Sequence, residues 1–277
     1  MNDKKDVALL LGAALMWGLS FPAVKYALSA YETFPIMAFR FTIASLVLAL
    51  PVFLARRRLT KKEITLGVAA GAILFFSFAT QTYGQIPISP ATSAFITGLY
   101  IVFVPVGAAL LKRKTPGLKI AACVLLSLLG LWLLTGASFS LGIGEMLTLL
   151  CAVGFAAHIL LLSRSSECDS NSFVLVQMLT AAVLSWIALP FAGGLPTTYS
   201  LEPLLAVLYL GIFASALAYW AQTTAQKNVA PSNTALIFIC EPVFAAITSV
   251  ILFNEYLSSV QLVGGGLILF AMYLSQR

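Results

Sequence analysis

Charge is what this chain has least of: 9% of its 277 residues are Asp, Glu, Lys or Arg, where an ordinary soluble domain carries about 25%. Beside a 60% hydrophobic share and a mean hydropathy of +0.98, that scarcity excludes a soluble globular fold and points to a protein whose solvent is lipid. Histidine occurs once, as His158, and the four cysteines, Cys123, Cys151, Cys168 and Cys240, are scattered without a CxxC pair. They read as packing residues rather than disulfides or metal ligands, and neither metal nor cofactor is expected. A glycine-rich, lysine-bearing phosphate loop is also missing, which argues against a nucleotide-driven pump. The chain has no acidic pair on one helix face and no Cys/His cluster, which argues against an integral-membrane enzyme.

What is present is a succession of apolar windows. A hydrocarbon core of about 30 Å takes about 20 residues of helix. Ten such windows follow one another, over 7–28, 35–54, 64–85, 91–111, 117–135, 144–163, 172–192, 203–222, 231–253 and 257–275. The expected fold class is therefore an all-α integral membrane protein of ten transmembrane helices, with almost nothing left for a soluble domain. Lys4 and Lys5 before an apolar run resemble the start of a signal peptide, but the run from Val7 to Leu28 is too long for one and reads as a retained first helix.

Charge placement tests the count. With alternate loops on opposite sides, one side receives Lys4, Lys5, Arg56, Arg57, Arg58, Lys61, Lys62, Lys112, Arg113, Lys114, Lys119, Arg164, Lys227 and Arg277, and the other receives none. Of the 16 basic residues only Lys25 and Arg40 are left, both within spans. Under the positive-inside rule both termini are expected in the cytoplasm. The net charge of +6 is then topology and contact with anionic headgroups, and needs no nucleic-acid partner.

The chain also repeats itself. QTYGQIPISPATSA at 81–94 is echoed by QTTAQKNVAPSNTA at 222–235, so that Gln81, Thr82, Gln85, Pro90 and Ala94 recur as Gln222, Thr223, Gln226, Pro231 and Ala235. GLYIVFVPVGAAL at 98–110 is matched by ALIFICEPVFAAI at 235–247, pairing Pro105 with Pro242. Span three thus corresponds to span eight and span four to span nine. Each copy holds five spans, an odd number, so the second enters the membrane from the opposite side. The expected units are 1–138 and 139–277, an inverted repeat, which is the usual build of secondary transporters with a midplane site.

Ionisable groups at mid-bilayer need a partner, a wet cavity or a role. Glu241 lies near the middle of span nine in register with Thr234 and Thr248, and Pro242 frees a carbonyl one turn back. Its carboxylate is a candidate proton carrier or amine receptor, or else a group that holds helices together. Pro105 and Pro242 are the expected hinges. His158 is a candidate for proton exchange or substrate hydrogen bonding, or a satisfied core histidine. Trp17, Phe21 and Lys25 follow at four-residue steps, so Lys25 could receive a carboxylate at the outer mouth or the pattern could be helix packing alone, while Arg40 is expected to snorkel to the headgroups. The paired Gln81 and Gln222 share either a site role or helix association. Tyr83, Tyr100, Tyr219 and Trp220 are placed near the cavity beside the repeated polar positions, with Tyr100 on the polar side of Ser93 and Thr97.

MWGLSFPAVK at 16–25, AFRF at 38–41 and EPVFAAITSVILFNE at 241–255, in this order and spacing, resemble the EamA branch of the drug/metabolite transporter superfamily across essentially the whole chain. The likeness departs at the end of span four, where Lys112, Arg113 and Lys114 stand opposite the Glu255 of the second copy. The resemblance implies a bacterial inner-membrane exporter of two inverted five-helix repeats, similar to exporters of amino acids and related metabolites, with aromatic amino-acid exporters as one subgroup. It also implies a cavity lined by spans one, three, four, six, eight and nine, with five and ten peripheral. The expected function is a secondary carrier, not an enzyme, exporting amino acids with an aromatic or neutral bias by alternating access. Efflux of hydrophobic cations, a channel and a scramblase stay open as alternatives. Proton coupling and association with a second copy are also left open.

Overall fold

The computed structural model describes residues 3–111, 113, 115, 117–134, 142–192, 194–196, 200–229 and 231–276. Lys112, Lys114, Arg277 and the expected unit boundary at 138/139 lie outside the described residues.

Each of the ten apolar windows holds helix, and among the described residues there is no strand. Eight helices are long and apolar enough to cross a membrane: α1 (Lys4–Ala27), α2 (Thr33–Leu54), α3 (Lys61–Gly84), α4 (Pro90–Leu111), α6 (Ile143–Leu162), α7 (Ser170–Phe191), α8 (Leu201–Ala225) and α9 (Asn233–Phe253). The fifth and tenth, α5 (Leu118–Leu134) and α10 (Ser259–Leu274), are apolar but shorter. Side-chain caps fix several starts. Thr60 and Glu63 form a reciprocal capping box at α3, with Thr60 N donating to Glu63 Oε2 at 2.8 Å. Ser89 accepts from Thr92 N ahead of Pro90 at α4, and Asp169 accepts from Ser172 N at α7.

Polar contacts sort the loops into two ends. At one end Arg57 lies 3.7 Å from Asp169, Lys62 pairs with Glu167, and Asn228 Nδ2 donates to Asp6 Oδ2 at 3.1 Å. This terminal end gathers the start of α1 with the α2–α3, α6–α7 and α8–α9 loops. At the opposite end Tyr26 donates to Glu202 and Tyr31 to the Ser200 carbonyl, while Lys25 binds the α3–α4 loop. Burial raises the Glu255 carboxyl there above the usual carboxylate range, and Lys25 partly draws it back.

Helices α5 and α10 pack on each other at the edge of the bundle, where a Cβ added to Gly264 would stand 2.6 Å from the Gly130 carbonyl oxygen. In the middle, α1 approaches α9 at Gly18. A Cβ there would lie 2.5 Å from Phe244 Cβ and 3.0 Å from the Glu241 carbonyl oxygen, so only glycine lets the two backbones close at this level. Gly18→Val is therefore expected to force α9 off α1 and lower stability by about 1–3 kcal/mol. Thermal unfolding of the purified protein measures this, and an unchanged midpoint would mean that the contact is not tight.

Candidate functional site

Three helices depart from regular geometry at one level of the bundle. Helix α4 is interrupted at Leu99, between Pro90–Gly98 and Tyr100–Leu111. Helix α9 is interrupted at Phe238 and Ile239, ahead of Cys240–Phe253. Pro242 cannot donate to the carbonyl of Phe238, which instead accepts the amide of Glu241 at 3.0 Å, an i→i−3 bond that tightens the turn. Pro105 lies inside the second segment of α4, past the interruption. Helix α8 widens into a π turn over Ile212–Leu217, the kind of irregularity that often marks functional positions.

A cavity of about 30 Å³ opens between these irregularities. Six helices line it, the same six named by the resemblance. They contribute Trp17 and Ser20 from α1, Phe78 and Gln81 from α3, and Tyr100 from α4. Phe155 and His158 come from α6, Tyr219 and Gln222 from α8, and Phe238 and Glu241 from α9. The rings form a cage: Trp17 meets Tyr219 and Phe238 at 5.1 Å between centroids, and Phe78 meets Phe155 at 5.2 Å. His158 stands edge-on to Tyr219 at 5.5 Å. At this size the cavity has room for about one water, so any organic solute requires the helices to part.

The polar groups within the cage are few and paired. The Tyr100 hydroxyl donates to Glu241 Oε2 at 2.7 Å, joining the two interrupted helices; Glu241 is 4% exposed. His158 Nε2 lies 2.8 Å from Gln177 Oε1, a buried residue of α7. Gln81 Nε2 donates to Thr97 Oγ1 at 3.2 Å. Gln222 Oε1, by contrast, is buried without a hydrogen-bond donor, which leaves an acceptor on the cavity wall for a ligand.

Of the twelve candidate binding residues, Trp17, Gln81, Tyr100, His158, Tyr219, Gln222 and Glu241 line the cavity, and five do not. Thr97 sits behind Gln81. Thr234 is fully buried beyond the cavity with an unpartnered hydroxyl, Trp220 packs against the core, and Tyr83 meets Phe34 edge-on at the opposite end. Lys25, expected at an open mouth, instead spends its ammonium on three carbonyls, those of Gln85 at 3.1 Å, Ile86 at 2.9 Å and Ile88 at 3.0 Å. It closes off the end of α3 rather than facing the cavity. Arg40 corrects the sequence expectation outright: it does not reach the headgroups but is 1% exposed, with its Cζ 4.1 Å from the centroid of Phe78.

The EamA-like transporter family model matches the chain twice, over residues 4–136 and 142–276. The chain belongs to the EamA-like transporter family. Among its relatives is an uncharacterized transporter of Archaeoglobus fulgidus, 32% identical over 97% of this chain and 84% of the relative. A chloroplastic WAT1-related protein of Arabidopsis thaliana is 28% identical over 96% of this chain and 68% of its own length. The uncharacterized transporter YdfC of Bacillus subtilis is 24% identical over 95% and 89%. A crystal structure superposes with a TM-score of 0.72 at 20% identity, covering 98% of this chain and 96% of that one, which shows a shared fold. The protein is a multi-pass membrane transporter.

Four lining residues that reading the sequence missed in this EamA-like transporter, Ser20, Phe78, Phe155 and Phe238, fall into a simple spacing. Five of the six lining helices place an aromatic residue three positions before a polar one: Trp17 and Ser20, Phe78 and Gln81, Phe155 and His158, Tyr219 and Gln222, Phe238 and Glu241. Residues three apart share a helix face, so each helix presents a ring and a polar group together. Lys25→Met should leave three carbonyls without their charged donor and loosen this end of the bundle. Cys151, buried in α6, reports on it in protein lacking the other three cysteines. Its maleimide labelling should quicken about tenfold or more, as expected for losing hydrogen bonds to a charged group. An unchanged rate would show that the clasp holds nothing closed.

Proposed function

We propose that this EamA-like transporter is a secondary carrier that exports amino acids with an aromatic or neutral bias, using two inverted five-helix repeats that rock about the central cavity. In this reading α5 and α10 cross the membrane as well, making ten spans, and both termini lie in the cytoplasm of a bacterial inner membrane. The two family-model matches, one on each half, support the duplication. The gathering of basic loops at the terminal end supports the orientation.

One observation carries the substrate class. A cavity walled by both halves holds a single carboxylate, Glu241, tethered by Tyr100 in a ring cage of Trp17, Phe78, Phe155, Tyr219 and Phe238. A solute with an ammonium group and a flat apolar body satisfies both features: the amine pairs with Glu241, and the body stacks among the rings. Because the cavity as closed admits about one water, loading requires the lining helices to separate, which supports alternating access over a standing pore.

Counterflow into proteoliposomes with a panel of amino acids, hydrophobic cations and sugars tests the reading. Aromatic and neutral amino acids are expected to exchange and sugars not to. Glu241→Gln is expected to lower amino-acid exchange at least tenfold, as for loss of a charged partner. If Glu241 carries protons, the same change flattens the pH profile of transport. Exchange of cations alone, or full activity in Glu241→Gln, would refute the assignment.

A further inference from the structure

Arg40 is a buried cation at the level of the cavity that the reading of the site does not yet use. Among the described residues it forms no ion pair. Its Nε donates to Ser215 Oγ at 2.6 Å, and Nη2 lies 3.5 Å from the Ala214 carbonyl oxygen, both within the π turn of α8. That same carbonyl accepts the indole N–H of Trp17 at 2.9 Å, so the guanidinium stands directly behind a cavity-lining residue. The guanidinium also lies over Phe78, another lining residue, with Cζ 4.1 Å from the ring centroid. These two hydrogen bonds use two of the five N–H donors of a guanidinium that stays charged at any physiological pH.

We propose that Arg40 is the charge filter of the transport cavity: a fixed cation one aromatic ring behind the wall, it favours solutes bearing a carboxylate and rejects solutes of net positive charge. The inference rests on the reading of the cavity as the substrate site. A cation buried without a counter-charge projects its field through low-dielectric surroundings instead of losing it to water or a partner. A solute on the far side of Phe78 sits about 8 Å away. At an effective dielectric of about 20, unit charges at that separation change relative affinity about 30-fold. Glu241 lines the same cavity, and among the described residues no ion pair joins it to Arg40, so the two opposite charges set up a field within it. An amino acid would lie with its ammonium toward Glu241 and its carboxylate toward Phe78 and Arg40, where Tyr219 offers a hydroxyl at the wall. A lipophilic monocation meets Glu241 as well, but must sit in the unopposed field of Arg40.

The test compares three solutes with the same aromatic body: phenylpropionate, phenylalanine and phenylalaninamide, of charge −1, 0 and +1. Their competition for counterflow is measured in wild type, Arg40→Met, Arg40→Lys and Ser215→Ala. Wild type is expected to favour phenylalanine over phenylalaninamide by about tenfold or more, and Arg40→Met to erase that ratio. Arg40→Lys and Ser215→Ala keep the charge while disturbing the hydrogen bonds, and should keep the ratio within about threefold. The same ratio in Arg40→Met as in wild type, or a loss in Ser215→Ala as large as in Arg40→Met, would overturn the proposal. Should Arg40→Met not fold, the wild-type ranking decides, because preference for the amide contradicts the filter. A wild type that moves phenylpropionate but not phenylalanine would sink the amino-acid reading and leave the filter standing.

Discussion

In a hydrocarbon interior no water completes a hydrogen bond, so every polar group at mid-depth must be answered by another part of the chain. That constraint shapes the middle of this transporter more than its apolar packing does. Helix α4 breaks at Leu99 and helix α9 at Phe238–Ile239, and the Tyr100–Glu241 bond joins them just past the breaks. Helix α8 opens into a π turn, and the carbonyl of Ala214 within it takes the indole of Trp17 and faces the guanidinium of Arg40. Irregular backbone at this depth is tolerated because it is buried in protein and because its freed groups have partners.

Helix α1 is the member these partners have in common. It is held at the terminal end by Asp6 and Asn228, in the middle by Trp17 on Ala214 and by Tyr209 on the Met16 carbonyl, and at the opposite end by Lys25. Gln85 Nε2 adds a bond to the Phe21 carbonyl. The repeated glutamine of the second half, Gln226, is half-buried, with both amide atoms out of solvent and unpartnered. The two copies of one sequence motif therefore sit in different states of satisfaction, one tied to α1 and one not. In the proposed alternating access one end is closed while the other is open, a state in which the two copies differ.

The helices were legible in the sequence because span length and the placement of Lys and Arg are both set by the bilayer, whatever the tertiary detail. The polar cavity residues were legible for the same reason: Glu241 and His158 stand out where ionisable groups are rare. Arg40 was not, because its distance from a helix end suggested an escape to the headgroups, and the partner that holds it inside is a π turn 175 residues away that no local pattern announces. Lys25 failed as a mouth residue for a related reason, since three backbone carbonyls hold it and backbone acceptors leave no mark in a sequence. The rings Phe78, Phe155 and Phe238 were hidden by abundance: aromatics make up 12% of the chain, and others such as Phe39 and Trp220 also stand three residues before a polar side chain without lining the cavity.

The central claim is that one cavity is walled by two halves that open it at one end only while closing it at the other. Paired spin labels read both ends of the same protein in lipid nanodiscs, at Ile86 and Tyr256 on the opposite end and at Lys5 and Lys227 on the terminal end, all exposed. The account predicts that adding phenylalanine shifts the two distance distributions in opposite senses, one lengthening as the other shortens. Distances that lengthen together, or that ignore the solute, would contradict it.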